Sequence, residues 1–285
     1  MSSGTIERSF ATPGPLSLNV RLAAGSIRVE AIDTDRTELE LRPLDEAARS
    51  LLADSRVELR EPGGAGELLV EVPERRGLFG RSPQFELRVR CPQGVRLFVR
   101  TRSADLELQG RLGSLTAKSV SGDVEADEVA GDAEVQGVSS DIEIRRVGGR
   151  AEIQTTSGDV SLGHVEGALR AHTVSGDLRV EDALGPVEAV TVSGDQHFAA
   201  VNAGSISLQA VSGDIGVAVR RGASVWMDVH SLSGDTVSEL LASDGPPGQD
   251  APLVELRVKT VSGDIRIDRA VGARVDAASS GSAAS

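Results

Sequence analysis

The triplet Ser-Gly-Asp recurs along this chain at a nearly fixed spacing. Seven copies are intact, and Ser103-Ala104-Asp105 and Ser139-Ser140-Asp141 keep the serine and the aspartate in two further places. The nine aspartates are Asp105, Asp123, Asp141, Asp159, Asp177, Asp195, Asp214, Asp235 and Asp264. Successive aspartates are 18, 18, 18, 18, 18, 19, 21 and 29 residues apart. A period near twenty indicates a repeat architecture, in which each unit contacts mainly its neighbours.

Each repeat contains two short segments in which apolar and polar residues alternate. After Asp141, for example, Ile142 and Ile144 flank Glu143, and a similar apolar pair follows in the second half of the unit. This period of two is typical of β-strands that bury one face. A glycine between the halves, such as Gly149, indicates a second turn. Each unit is therefore predicted to form two strands and two turns.

The repeats predict an all-β fold, a single-chain β-solenoid that resembles a parallel β-helix and has rungs of about 18 residues. A hexapeptide-repeat β-helix is excluded, because the seventh residue after the aspartate is not regularly aliphatic, as Gly148 and Glu166 show. An antiparallel β-sandwich is the alternative, since short strands with regular turns also fit it. Identical turns at identical spacing favour stacked rungs, because each rung then offers the next the same hydrogen-bonding edge.

The domain organisation follows the same pattern. Residues 1–100 are predicted to form a β-rich part that is continuous with the solenoid and contains one short helix near 44–53. Residues 101–270 form the Ser-Gly-Asp solenoid, with an inserted loop near 236–253 in the longest step. The small residues of 271–285 indicate a disordered tail.

Charge and composition exclude several classes of partner. The formal net charge is −13, whereas nucleic acids and anionic membrane surfaces attract clustered Lys and Arg. Aromatic residues make up only 2% of the chain, so aromatic platforms for sugars or single-stranded nucleic acid are not expected. No apolar run of eighteen residues is present. We therefore expect neither nucleic-acid binding nor direct insertion into a membrane.

The start of the chain and its cysteine content bear on the compartment. Met1 to Arg8 are mostly polar and show no signal-peptide pattern, and Cys91 is the single cysteine, so an intramolecular disulfide is excluded. We interpret Cys91 as a small core residue at a strand end. The expected location is the cytoplasm, with association to the envelope through a partner as the alternative.

The aspartate column is the feature with the most chemistry in it. Two unscreened charges about 4.8 Å apart in successive rungs repel by roughly 0.9 kcal/mol in water. The favoured interpretation is structural: each Asp or Ser side chain accepts N–H groups of its own turn. The alternative is a column that binds Ca²⁺ or another hard cation. No catalytic group and no cofactor are expected. A histidine-based metal site is not expected either, because the four histidines fall at different phases of the repeat.

Five runs share the core Val/Thr-Ser-Gly-Asp-Ile/Val. They are Thr116–Val124, Thr155–Val160, His172–Leu178, Val190–Asp195 and Thr260–Ile265. These runs resemble the bacterial β-strand-repeat proteins labelled "putative adhesins", a family of unknown function, and the resemblance extends over residues 10–270. It implies a β-solenoid and suggests surface adhesion or a link to envelope-stress systems. It implies no catalytic residues.

These observations lead to two hypotheses about function. The favoured one is a non-enzymatic structural or binding scaffold, adhesin-like, that presents repeated polar faces to a protein partner or to a second copy of itself. The segment around Leu78 and Phe79, an apolar pair flanked by arginines, is a candidate docking loop. The alternative is a carbohydrate-active β-helix enzyme, which requires a cleft with convergent carboxylates and neighbouring aromatic residues.

Overall fold

The strands stack in parallel rungs, which confirms the predicted β-solenoid. The computed structural model describes residues 4–60, 65–73, 82–240 and 252–270. In chain order the strands are β1 (Ile6–Ala11), β2 (Leu16–Ile32), β3 (Arg36–Pro43), β4 (Arg56–Arg60), β5 (Gly66–Glu71), β6 (Phe85–Pro92), β7 (Arg96–Leu112), β8 (Ser114–Lys118), β9 (Val124–Val129), β10 (Ala133–Gln136), β11 (Ile142–Val147), β12 (Ala151–Ser157), β13 (Val160–Val165), β14 (Leu169–Ser175), β15 (Leu178–Ala183), β16 (Val187–Ser193), β17 (Gln196–Val201), β18 (Gly204–Ser212), β19 (Ile215–Val219), β20 (Ser224–Ser233), β21 (Thr236–Ser238), β22 (Leu253–Ser262) and β23 (Ile265–Arg269).

The regular rungs have two faces joined by the Ser-Gly-Asp turns. Face A contains β8, β10, β12, β14, β16 and β18, and face B contains β9, β11, β13, β15, β17 and β19; within each face the neighbouring strands are parallel. Strand β7 extends through both faces, pairing with β8 and then with β9, and β2 pairs with β7 along almost its whole length. Parallel pairing of successive repeats excludes the antiparallel sandwich for this part of the chain.

The alternation in the sequence determines which side chains fill the interior. Ile142 and Ile144 are buried, and Glu143 between them points to solvent. Ile142 lies directly between Val124 and Val160 of the neighbouring rungs. The interior is filled mainly by Val, Leu, Ile and Ala, with few aromatic side chains. Phe85 and Phe198 are the largest of the fully buried side chains.

The N-terminal end of the stack is covered. Strands β5 and β6 form a rung on the outer side of β2, and antiparallel strands close that rung: β4 pairs with β5, and β3 pairs with β6 and with β1. Helix α1 (Glu46–Leu51) follows β3 in the chain. The side chain of its N-cap residue Asp45 accepts the N–H of Ala48 at 2.6 Å. Ala48 and Leu51 are buried in the core. This helix lies within the range predicted near 44–53.

The rungs at the C-terminal end are not in sequence order. Strands β22 and β23 pair with β18 and β19 on one side and with β20 and β21 on the other. The rung formed by residues 253–269 is therefore inserted between two rungs that precede it in the chain. Of the predicted loop near 236–253, residues 241–251 lie outside the described residues, as does the predicted tail 271–285.

The remaining structural observations concern Cys91 and the helices. Cys91 is fully buried, and burial raises the pKa of its thiol to about 12, so the thiol stays protonated and unreactive at neutral pH. In the four described ranges, no helix combines the length and the apolar character needed to cross a membrane.

Candidate functional site

The nine aspartates lie in one line along the edge between faces A and B. At each step the Oδ1 atom of one aspartate accepts the backbone N–H of the aspartate in the next rung, at 2.8 to 3.2 Å. The spatial order is Asp105, Asp123, Asp141, Asp159, Asp177, Asp195, Asp214, Asp264 and Asp235. We call this line the aspartate ladder.

The geometry of the turn explains why a carboxylate is needed. The N–H groups of Gly158 and Val160 point to the next rung, where they meet carbonyl oxygens at 3.2 and 2.8 Å. The N–H of Asp159, between them, points to the preceding rung and meets the Asp141 carboxylate at 2.8 Å. The side chain therefore replaces a missing backbone acceptor. The sequence interpretation placed this bond within a single turn, whereas the structure places it between rungs.

A second set of side chains supports the turns, and the sequence analysis did not identify it. Two residues before the serine of the triplet, a buried hydroxyl donates to the glycine carbonyl of the turn: Thr191 to Gly194 at 3.3 Å, and Ser119 to Gly122 at 2.9 Å. The signal was present in the sequence, because a threonine or serine recurs at that position. Because inward and outward side chains alternate along a strand, this threonine or serine position is expected on the buried side.

The cation-binding alternative receives no support from the arrangement of the ladder. Within the residues that the structure describes, no group of three or more His, Cys, Asp or Glu side chains is placed to hold a metal ion. Arg179 lies beside the ladder, with nitrogens 2.7 Å from a carboxylate oxygen of Asp177 and 3.9 Å from one of Asp159. The hydrogen bonds between rungs give the ladder a structural role, and cation binding stays the untested alternative.

Replacing Asp159 with alanine should lower the free energy of unfolding by about 0.5 to 2 kcal/mol, by analogy with lost helix caps, because the N–H of Asp177 then loses its acceptor. Asp159→Asn keeps an acceptor oxygen and removes one of the stacked charges, so it should be nearly neutral. Urea denaturation of both variants measures the difference. A melting temperature that rises in millimolar Ca²⁺, but not in NaCl of equal ionic strength, would contradict the structural role.

An apolar line runs beside the aspartate ladder on face A. In each rung the residue before the serine of the turn points to solvent, and in most rungs this residue is valine. We call this line the valine stripe; in spatial order it consists of Val120, Val138, Thr156, Val174, Val192, Val211, Val261 and Leu232. The six valines are 44–50% exposed and Leu232 is 83% exposed. With a rung spacing of about 4.8 Å, the stripe is about 34 Å long.

The two sides of the valine stripe differ in charge. On one side lies the acidic aspartate ladder. On the other side lies a column without carboxylates, called here the flanking column: Lys118, Gln136, Gln154, His172, Val190, Gln209, Lys259 and His230. A shallow groove of about 650 Å³ runs between the stripe and this column, and Gly137 contributes to its wall. The result is an apolar strip with one acidic border and one neutral-to-basic border.

A larger concave region lies elsewhere, on face B near the N-terminus. This cavity of about 740 Å³ is lined by four glutamates and four arginines, and none of its lining residues is aromatic. Several of the charges are paired: Arg90 contacts Glu30 at 2.9 Å, and a hydrogen bond with Glu107 raises the pKa of Arg28. It lacks the aromatic residues that the sequence analysis required of a carbohydrate-active cleft.

The candidate docking loop is not part of the described ranges. Leu78 and Phe79 lie outside the described residues. Their proposed role in docking stays a prediction.

The repeat, the parallel rungs and the stacked turns together point to a known family. The model of the Toastrack family, DUF4097, matches residues 61–268. This chain belongs to the Toastrack family. That result confirms the resemblance carried by the repeated Ser-Gly-Asp runs. A search of the curated proteins finds no match to the chain.

Several solved structures are similar to this Toastrack chain at low identity. A "putative adhesin" from Bacteroides fragilis is 14% identical, with a TM-score of 0.45, and the match covers 92% of this chain and 96% of that one. A "putative lipid binding protein" from Parabacteroides distasonis is 13% identical, with a TM-score of 0.38, and covers 93% and 97%. A "putative cell adhesion protein" from Clostridium sporogenes is 10% identical, with a TM-score of 0.26, and covers 93% and 99%.

Proposed function

We propose that this Toastrack chain is a non-enzymatic binding scaffold that holds a protein partner along its valine stripe. The observation that carries the proposal is the stripe itself: one apolar residue repeated in nearly every rung, half exposed, on a rigid ladder of strands. Single exposed apolar residues are common on protein surfaces, but a contiguous line of them marks an interaction surface.

The surroundings of the stripe define the chemistry of the partner. An extended segment with apolar side chains at alternate positions would lie along the valines and bury them. Basic groups on one side of that segment would face the aspartate ladder, and acidic groups on the other side would face Lys118 and Lys259 of the flanking column. The repeat pattern in the sequence predicts binding through repeated polar faces. The proposal instead assigns the affinity to the apolar line and the orientation to its polar borders.

The alternative, a carbohydrate-active enzyme, has less support. The described cavities lack the combination of convergent carboxylates and aromatic platforms that sugar binding requires. The scaffold proposal is also consistent with the family, whose resemblance carries no catalytic residues.

The double variant Val174→Asp/Val192→Asp tests the stripe, because it places two charges in the middle of the apolar line. Binding of the partner should fall at least about tenfold, since each buried charge without a counterion costs more than 1 kcal/mol. The measurement is quantitative capture from lysate of the native cell, combined with photo-crosslinking from position 192, which shows whether the captured protein contacts the stripe.

The control is Ser161→Asp/His197→Asp, which adds the same two charges to exposed positions of face B. Both variants should melt close to the wild type, because all four positions are exposed. Capture that is lost only in the stripe variant supports the proposal. Equal capture by both variants, or crosslinks that form from position 197 and not from 192, would reject it.

A further inference from the structure

The two ends of the solenoid are finished differently. The N-terminal end is covered by antiparallel strands and by helix α1. At the other end, the last rung in space consists of β20 and β21. Among the described residues, β20 pairs only with β22, and β21 pairs only with β23. An uncovered edge of this kind presents unpaired N–H and C=O groups, which natural β-proteins usually cover or blunt.

Among the described residues, the core also ends openly at β20. The inward positions Val225, Met227 and Val229 continue the columns of three fully buried residues of β22. Met227 nevertheless stays 40% exposed, and the two valines are only partly buried. Solenoid repeats need a terminal cap to shield such residues.

The backbone of β20 is oriented for the addition of a further strand. Ser224 donates its N–H to Pro252 at 2.9 Å, toward β22. Because successive peptide groups in a strand point to opposite sides, the N–H groups of Val225, Met227 and Val229 point to the free edge.

The outward side chains of β20 are self-complementary. Along the strand they are Trp226, Asp228, His230 and Leu232. An apolar residue therefore lies at each end, with an aspartate and a histidine between them. If a second β20 lies antiparallel with Val229 opposite its own copy, Asp228 faces His230 of the second copy, and Trp226 faces Leu232 of the second copy. Centring the pair on Asp228 would instead place two carboxylates opposite each other.

We propose that β20 is a homodimer interface, in which two chains join end to end through antiparallel pairing of their β20 strands, centred on Val229. The arrangement is isologous, so it closes after two copies and does not polymerise. It supplies hydrogen-bond partners to both free edges and covers Met227. The Asp228–His230 contact of 2.7 Å within each strand becomes part of a four-residue cluster at the two-fold axis. The interface uses the end of the solenoid, and it shares with the surface proposed for the partner only Leu232 of the valine stripe and His230 of the flanking column.

The chain has a built-in reporter for this contact. Trp226 is the only tryptophan, it is 51% exposed, and Arg257 lies over one face of its ring at 5.4 Å. Pairing with a second β20 would bury the ring further against Leu232 of that copy. Its fluorescence emission should therefore shift to shorter wavelength as the protein concentration rises, in parallel with dimer formation.

Sedimentation of the full-length chain over about 1 to 100 μM tests the proposal, with tryptophan emission measured on the same samples. The expected result is a species of twice the 29.6 kDa chain mass. His230→Asp places like charges opposite each other twice in the dimer and should raise the dissociation constant at least about tenfold. The swapped double variant Asp228→His/His230→Asp should restore the dimer, because it recreates both opposite pairs.

His197→Asp is the control, because it makes the same change on face B and should leave the dissociation constant unchanged. A chain that stays monomeric at all concentrations overturns the proposal, as does an open-ended polymer. So does a dimer that is insensitive to His230→Asp or that the swap does not restore. Circular dichroism of each variant confirms that the fold is retained.

Discussion

Replacing Gly176 with alanine should destabilise the protein by about 2–5 kcal/mol. Gly176 lies in a Ser-Gly-Asp turn in the middle of the stack, with φ at +130°. An added Cβ atom would lie 2.2 Å from the carbonyl oxygen of Gly158 in the preceding rung. The substitution combines an unfavourable backbone conformation, about 1–2 kcal/mol, with a clash against backbone that cannot rotate away, about 1–3 kcal/mol. Chemical denaturation followed by circular dichroism measures the change.

Gly94→Ala separates the two contributions. Gly94 also has a positive φ, +77°, but an added Cβ atom there would meet no other atom within 4 Å. It should therefore cost only the backbone term, about 1–2 kcal/mol. If Gly176→Ala were no worse than Gly94→Ala, the rungs would not approach each other as closely at the turns as the structure shows.

Phe198→Ala should cost about 3–5 kcal/mol, the usual range for removing a buried ring. Phe198 is fully buried in β17, in the column between Val180 and Val217. Its neighbours belong to ladders that are hydrogen-bonded on both sides, so they cannot collapse into the cavity. The loss of stability should appear as a lower midpoint concentration of denaturant in chemical denaturation.

Phe198→Leu keeps most of the volume and should cost less than about 1.5 kcal/mol. A small loss in both variants would mean that the interior at this rung is loosely packed. A large loss in both would indicate that the ring itself is required.

Much of the solenoid could be predicted from the sequence because its turn chemistry and its alternation repeat together. The strict step of 18 residues from Asp105 to Asp195 implied stacked rungs, and stacking placed like residues in columns. The inward column after each aspartate was predicted correctly at Ile142 and Val160. Local pattern and long-range pairing agree in these rungs, so their strands and their buried positions could be predicted from the sequence.

Other features could not be derived from local pattern. Gln196 occupies a core position that holds Leu178 and Ile215 in neighbouring rungs, and it is buried because its amide donates to Thr191 and to the carbonyl of Gln209. A sequence cannot show that a buried amide will find such partners. The direction of the N–H groups in the turns likewise depends on the neighbouring rung, so the bond between aspartates of successive rungs was assigned to a single turn.

The inverted order of the last two rungs has a consequence for synthesis. When β20 and β21 leave the ribosome, the free edge of the growing stack is β18 and β19, the place that β22 and β23 finally occupy. The residues up to Arg269 follow only after about thirty more additions, a delay of seconds at ~5–20 residues per second. During that interval the rung of 224–238 either waits unpaired or pairs provisionally and is displaced. In either case the rung of 224–238 can take its final place only after β22 and β23 have paired with β18 and β19.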